Sequence, residues 1–263
     1  MRKRLAVVFT AVALLALDCA MGAQTGGVIF HSFESIPFQA RGRMQLKAVV
    51  TDEGSIGLAE VPAGAIQAGH RHQQEQAVVV VSGAIQYSIS EQLHKIGLHG
   101  GALPPSNSQH FYTNINDGPS RFIEYQPVRR HDWIPPFPAN QSAQSAEPVA
   151  VAPDKTVARD LSLSSGGWAR LMNTGARVKS LPGETILLRM IDLSANNASL
   201  DMTASGGRAW FLYVLEGEAQ FSAGKTSRKI GRDTVVQIAN GQVFTLRSPK
   251  NGPSLIAAFS PVP

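Results

Sequence analysis

Gly64–Gly83 reads G-A-I-Q-A-G-H-R-H-Q-Q-E-Q-A-V-V-V-V-S-G, and this stretch decides how the rest of the chain is interpreted. It predicts a long, buried β-strand, on which residues two apart share a face and lie about 6.6–6.8 Å apart along the chain. His70, His72 and Gln76 then point the same way, together with Gln74. Because unpaired polar groups are costly to bury, this face needs a partner. A metal ion is one such partner, since neutral imidazole is the commonest metal ligand.

A third histidine, His110, follows a turn-rich segment downstream. Residues 97–114 read G-L-H-G-G-A-L-P-P-S-N-S-Q-H-F-Y-T-N. Together the two segments resemble the paired motifs of the cupin superfamily, G-x5-H-x-H-x3-E/Q-x6-G and P-x-G-x2-H-x3-N. The matching positions are Gly64, His70, His72, Gln76 and Gly83, then Pro105, Asn107, His110 and Asn114.

Two positions depart from the family pattern. Gln76 stands where many members carry glutamate, and Asn107 replaces the turn glycine. Asparagine tolerates the left-handed backbone conformation better than most residues, so the second change is mild. A strand bulge would exchange Gln76 for its neighbour Glu75, which regular alternation directs to the opposite face as a structural residue.

The resemblance implies an all-β fold of cupin barrels (double-stranded β-helix or jelly roll) and one bound divalent transition metal ion. The ligands that it implies are His70, His72, Gln76 and His110. Imidazole and amide ligands suit zinc, iron, nickel, manganese or cobalt, so the identity of the ion stays open.

The rest of the chain agrees with an all-β fold. Short segments rich in strand-forming residues are separated by Gly, Pro, Asn and Asp, which is typical of a barrel or sandwich. The first of them are Met44–Thr51, Ser55–Pro62, Gln76–Ser82 and Ala84–Ser90. Arg121–Val128 closes this unit, so we predict an N-terminal, metal-binding cupin domain over residues 24–130.

A second unit follows a proline-rich stretch. Residues 131–160 contain five prolines, a density that favours an extended linker. Beyond it, Ala209–Phe221 parallels Gln76–Ile89. We therefore predict a second, tandem cupin barrel over residues 161–263.

The second unit lacks the metal ligands. The corresponding positions hold Ala204, Gly206, Trp210 and Phe244. All seven histidines of the chain lie at or before His131. This unit is predicted to be a degenerate cupin, kept for packing, for formation of a homodimer or as a lid.

The N-terminus predicts export. Met1–Arg4 is basic, Leu5–Leu17 is apolar, and small residues follow at Gly22 and Ala23, as in a cleaved secretory signal peptide over residues 1–23. The apolar run is too short to span a membrane, which takes about 20 residues. We expect a periplasmic or secreted protein that does not stay in the membrane after cleavage.

Charge and cysteine content narrow the partners. Cleavage removes three basic residues and Asp18, which lowers the formal net charge from +5 to +3, with no polybasic patch. Nucleic acid is therefore not an expected partner, and a small-molecule substrate is. Cys19, the only cysteine, also leaves with the signal peptide, so the mature chain has no disulfide to form.

The ligand set favours non-redox chemistry. Three imidazoles and a neutral amide leave the charge of a divalent ion uncompensated, which makes it a Lewis acid for carbonyl, carboxylate or enediol oxygens. Cupins with a His/His/Gln/His set include ones that resemble sugar-acid tautomerases, so the resemblance implies an isomerase, tautomerase or lyase. A quercetinase-like dioxygenase and a non-catalytic ligand-binding cupin are the alternatives, because one fold hosts many chemistries.

A proton-transferring group would then come from elsewhere in the barrel. Tyr125 and Glu124 lie on the strand that is expected to cross the barrel mouth, and alternation lets only one of them face inward. We name Tyr125 as the candidate, with a core tyrosine as the competing interpretation. Gln74, on the ligand face, is the second candidate, for contact with the substrate or with the ligands.

Overall fold

A computed structural model describes residues 27–134, 157–162, 164–248 and 252–262 of the chain. The predicted signal peptide and most of the predicted linker lie outside the described residues. The structure is nearly all β, with 55% strand and 3% helix, which confirms the predicted fold class. Within the described segments, no helix has the length and apolar character needed to cross a membrane.

Ten strands and two short 3-10 helices form the first half. The strands are β1 (Val28–Ser32), β2 (Gln39–Arg41), β3 (Met44–Val50), β4 (Ser55–Val61), β5 (Ala77–Ser82), β6 (Ile85–Ile89), β7 (Gln92–Ile96), β8 (Gly100–Ala102), β9 (His110–Asn114) and β10 (Ser120–Gln126). The helices are Phe33–Ser35 and His131–Trp133. Nine of these strands form two antiparallel sheets, ordered β8-β5-β10-β4-β3-β2 and β7-β6-β9.

The second half contributes another ten strands. They are β11 (Ala158–Asp160), β12 (Ala169–Arg170), β13 (Arg177–Pro182), β14 (Ile186–Asp192), β15 (Ser199–Thr203), β16 (Trp210–Ala223), β17 (Thr226–Gly231), β18 (Thr234–Ile238), β19 (Val243–Arg247) and β20 (Ser254–Pro261). The main sheet has the order β18-β16-β20-β14-β13-β12. Strands β17 and β19 also pair with β16, and β15 pairs with β19.

The two halves exchange strands. β1, from the start of the chain, pairs with β18, and Val28 lies opposite Ile238. β11, at the C-terminal end of the predicted linker, pairs with β8, and Ala158 lies opposite Ala102. Each half therefore completes a sheet of the other, across the predicted domain boundaries.

Buried apolar residues form three cores. One lies in the first half around Tyr87, Tyr112 and Phe122. A second lies in the second half, where the ring of Phe244 is 6.0 Å from that of Trp210 and 5.7 Å from that of Phe221. Trp210 and Phe244 are two of the residues that the sequence predicts to stand where the first half carries its metal ligands.

The third core joins the halves. Tyr125 of β10 packs against Phe211 of β16 and Phe259 of β20, with ring centroids 5.3 and 5.1 Å apart. All three side chains are buried, together with residues from both halves such as Val79 and Leu188. Because the halves share this core and exchange strands, we expect them to unfold together.

The substitution Phe259→Ala is expected to lower the free energy of unfolding by about 3–5 kcal/mol, because it removes a buried ring from the core between the halves. Urea unfolding, followed by tryptophan fluorescence and by circular dichroism, should still give one coincident transition. Val243→Ala, at a side chain that is 57% exposed, serves as the control and should change the free energy by less than about 0.5 kcal/mol. Two separate transitions in the wild type would contradict the prediction.

Candidate metal centre

Three imidazoles converge in the first half. The ring centroids of His70 and His110 lie 4.5 Å apart, those of His70 and His72 4.9 Å, and those of His72 and His110 5.2 Å. One nitrogen from each ring lies within 4.8 Å of the other two. The three imidazoles therefore form a group that could hold one metal ion.

The backbone joins the start of β9 to a first motif that is not in regular strand. His70 forms an isolated antiparallel bridge with His110, with N···O distances of 3.0 and 2.9 Å. Asn107 N donates to His72 O at 2.7 Å, and Asn107 has a φ of 59°, the left-handed conformation of a turn glycine. β5 begins only at Ala77, so the predicted long strand is wrong for the ligand segment, which bends at Gln73–Gln74.

Hydrogen bonds orient two of the rings. His70 Nδ1 lies 3.0 Å from Ala68 O, and His110 Nδ1 lies 2.9 Å from Ser108 O. A carbonyl oxygen can only accept, so both Nδ1 atoms carry the proton and both Nε2 atoms present a lone pair. His110 Nε2 is buried and has no hydrogen-bond partner among the described residues. A metal ion fits this site, because it would satisfy a buried acceptor that is otherwise costly.

Burial keeps the imidazoles neutral. His72 and His110 are 7% and 2% exposed. Burial lowers the pKa of His70, lowers the pKa of His72 well below its usual value, and lowers that of His110 to about 3. Nearby cationic groups add to the effect. The rings are thus in the ligating form at neutral pH.

Gln76 is buried in the same interior as the triad. Tyr87 donates to Gln76 Oε1 at a long 3.5 Å, and the Tyr87 ring lies 5.8 Å from the His110 ring. A hydrogen bond of this length is weak, so the amide oxygen keeps most of its capacity as a donor atom for a metal. Gln76 as the fourth ligand stays a prediction. Gln74 is half-buried at the bend.

Glu75 points away from the triad and binds the second half. Its side chain is fully buried and accepts hydrogen bonds from the backbone N–H groups of Glu184, Thr185 and Ile186 at 2.7–2.9 Å. Thr185 Oγ1 donates a fourth, at 3.1 Å. Gly183 permits this approach, because a Cβ there would lie 2.2 Å from Glu75 Oε1. The segment that carries the ligands is thereby attached to the loop before β14.

The structure does not bring Tyr125 to the imidazoles. Its ring lies in the core between the halves, because the interior face of β10 belongs to Glu124. Glu124 is 6% exposed and interacts electrostatically with Tyr87 and Tyr112. Burial raises its pKa, although Arg41 and Arg130 oppose the shift. Glu124, the alternative at this strand, is the residue that faces the first-half interior.

Two arginines beside the site were missed by sequence reasoning. Arg41 Nη2 donates to Asp132 Oδ2 at 2.7 Å, and Arg130 Nε donates to Asp132 Oδ1 at 2.6 Å. The charges of both arginines act on His70 and His72. No sequence signal could have found them, because they lie 89 positions apart and neither belongs to a motif.

Comparison with known proteins shows the fold. A scan against family models finds no match, and a search of curated proteins finds no significant match. Among solved structures, AerE from Microcystis aeruginosa is similar, with a TM-score of 0.64 and 13% identity over 86% of this chain and 96% of that one. A mutant of oxalate decarboxylase from Bacillus subtilis has a TM-score of 0.65 and 11% identity over 91% and 78%. These neighbours are cupin-fold proteins, so the chain has the cupin fold.

The metal-free protein should lose stability as pH falls. Below pH 6.5 the unfolded chain protonates its histidines, whereas folded His110 takes a proton only near pH 3. The folded state therefore loses up to about 1.4 kcal/mol per pH unit for each such histidine as pH falls from about 6.5. The urea midpoint of the wild type should decrease between pH 7 and pH 4. The midpoint of His110→Gln should decrease less steeply over the same range. Equal slopes for the two proteins would contradict this assignment.

Glu75→Gln is expected to lower the free energy of unfolding by about 1–3 kcal/mol, because an amide NH2 would face backbone donors. Metal affinity should fall about tenfold, since the ligand segment loses its attachment. Glu60→Gln, which removes a charge from the partly exposed pair with Arg121, is the control and should cost no more than about 1 kcal/mol. Urea unfolding and metal titration check both values, and unchanged metal affinity in Glu75→Gln would contradict the second.

Proposed function

We propose that this chain is an exported, metal-dependent cupin enzyme of the isomerase, tautomerase or lyase type that acts on a small oxygenated substrate of the sugar-acid or carbonyl class. The observation that carries the proposal is the convergence of His70, His72 and His110 in a buried site. The orphaned His110 Nε2 is hard to explain without a bound ion.

The donor set supports Lewis-acid chemistry. Three neutral imidazoles, with Gln76 as a fourth ligand, leave the charge of a divalent ion uncompensated. When bound, such an ion supplies Lewis acidity to a carbonyl or carboxylate oxygen of the substrate. The hydrogen bonds from His70 and His110 to backbone carbonyls keep the rings turned toward it.

Glu124 is the group that we assign to proton transfer. Isomerisation and tautomerisation next to a carbonyl need a group that removes a proton from one carbon and returns it to another atom. The raised pKa of the Glu124 carboxyl suits that role, because a base works best when its pKa approaches the operating pH. The rings of Tyr87 and Tyr112, 6.1 Å apart, help to screen this side of the site from water.

The second half is proposed as a degenerate cupin that supports the first. Aromatic rings fill its interior, and its loop before β14 binds Glu75. The signal peptide proposed for residues 1–23 places the mature protein in the periplasm or outside the cell, with a small molecule as its partner.

Metal analysis of the purified mature protein, with and without the substitution His72→Ala, tests the proposal. We expect about one divalent ion per chain in the wild type and less than a tenth of that in the variant, because two imidazoles hold an ion poorly. His31→Ala, in strand β1 away from the triad, is the matched control and should retain the metal. The proposal is wrong if the wild type binds no ion, or if His72→Ala binds the ion as well as the wild type does.

The reaction class is tested on the metal-loaded protein. Incubation of sugar acids and unsaturated uronates in D2O should exchange or shift a proton next to the carbonyl, detected by NMR, and Glu124→Gln should slow this by at least 100-fold. Oxygen uptake with flavonols or diketones would instead indicate a dioxygenase. Tight metal binding without turnover of any substrate would indicate a ligand-binding cupin.

A further inference from the structure

Arg41 and Arg130 share one carboxylate at the edge of the first half. Arg41 ends β2, Arg130 follows β10, and Asp132 lies in the short helix after it. Asp132 Oδ2 accepts from Nη2 of both arginines, and its Oδ1 accepts from Arg130 Nε. Two guanidinium charges therefore face one aspartate charge in this contact, and we call these two residues the arginine pair.

Arg130 has a donor that Asp132 does not reach. The residue is 8% exposed, and its guanidinium lies 4.8 Å from the Trp133 ring centroid. Its Nη1 is buried and has no hydrogen-bond partner among the described residues. A guanidinium stays protonated in proteins, so this donor cannot become satisfied by losing its proton. A buried, unpaired donor of this kind is available to an acceptor from outside the chain.

The arginine pair lies beside the candidate metal centre. Arg41 and Arg130 both interact electrostatically with His70 and His72, and Arg130 also interacts with His110. Both arginines also interact electrostatically with Glu124. Trp133, which the Arg130 guanidinium contacts, belongs to the same buried core as Tyr87, and the Tyr87 ring lies 5.8 Å from the His110 ring. A small molecule bound at Arg130 can therefore extend toward the imidazoles.

We propose that Arg130, assisted by Arg41, binds the carboxylate of the substrate, while a neighbouring hydroxyl or carbonyl oxygen of the same molecule faces the three imidazoles. The inference rests on the proposed function and assigns its substrate class, a small carboxylic acid. A carboxylate fits better than a phosphate, because the pair already holds the planar carboxylate of Asp132 and one unpaired donor remains on Arg130. In this arrangement Arg130 is a specificity residue.

The test compares two ligands that differ in one group. Galacturonate carries a carboxylate where galactose carries a hydroxymethyl group. Calorimetric titration of zinc-loaded protein should show galacturonate binding at least tenfold more tightly than galactose. In Arg130→Gln the affinity for galacturonate should fall at least tenfold. In Arg130→Lys, which keeps the charge but cannot bind Asp132 and the substrate through separate nitrogens, the affinity should lie in between. Circular dichroism confirms that each variant is folded.

The chain offers a matched control in Arg177. Its guanidinium is paired with Asp192 and lies 5.3 Å from the Trp168 ring, the same two contacts that Arg130 makes, but in the second half. Arg177→Gln should bind galacturonate as the wild type does. Equal binding of galacturonate by Arg130→Gln and the wild type, or of galactose and galacturonate by the wild type, would overturn the subsite. Inorganic phosphate binding more tightly than galacturonate through Arg130 would overturn the carboxylate assignment.

Zinc affinity separates this inference from the proposed function. Arg130→Gln should retain zinc within about threefold of the wild type, because Arg130 is not a ligand. If zinc binds at the triad but galacturonate binds Arg130→Gln as tightly as the wild type, only the proposed carboxylate subsite is wrong. If the wild type retains no zinc while galacturonate still depends on Arg130, the metal-dependent function alone fails.

Discussion

The candidate metal centre depends on the cost of burying the imidazoles of His72 and His110, with His70 half-buried beside them. Uncharged imidazole nitrogens inside an apolar core need hydrogen bonds or a metal, and most of the local structure supplies one or the other. Backbone carbonyls of Ala68 and Ser108 take the Nδ1 protons of His70 and His110, which leaves the Nε2 atoms turned to a common point.

The second half contributes to the candidate site by holding the segment that carries Gln76. Glu75 lies next to Gln76 in the chain and accepts four hydrogen bonds from residues 184–186, so the ligand segment is attached to the partner half. The exchanged strands β1 and β11 reinforce this dependence in both directions. The interior of this half is filled by Trp210, Phe221 and Phe244, while its loop before β14 binds Glu75.

Charge distribution gives the site its chemical preference. Neutral imidazoles add no negative charge, and the arginine pair has more positive charge than Asp132 balances. Glu124, on the interior face of β10, interacts electrostatically with both arginines. Burial raises the pKa of its carboxyl. Such an arrangement supports the proposals of an anionic, oxygen-rich substrate and of a proton-transfer step.

Sequence alone determined the all-β class, the cupin motifs and the three histidines, because these depend on local spacing and on residue type. It also restricted the interior position on β10 to Glu124 or Tyr125, because side chains alternate along a strand. Which of them faces inward depended on the sheet packed against β10, and that packing places Tyr125 between the halves. The arginine pair, the attachment of Glu75 and the exchange of β1 and β11 were likewise decided only by the tertiary structure. They join residues far apart in the chain, and no local pattern encodes which distant segments meet.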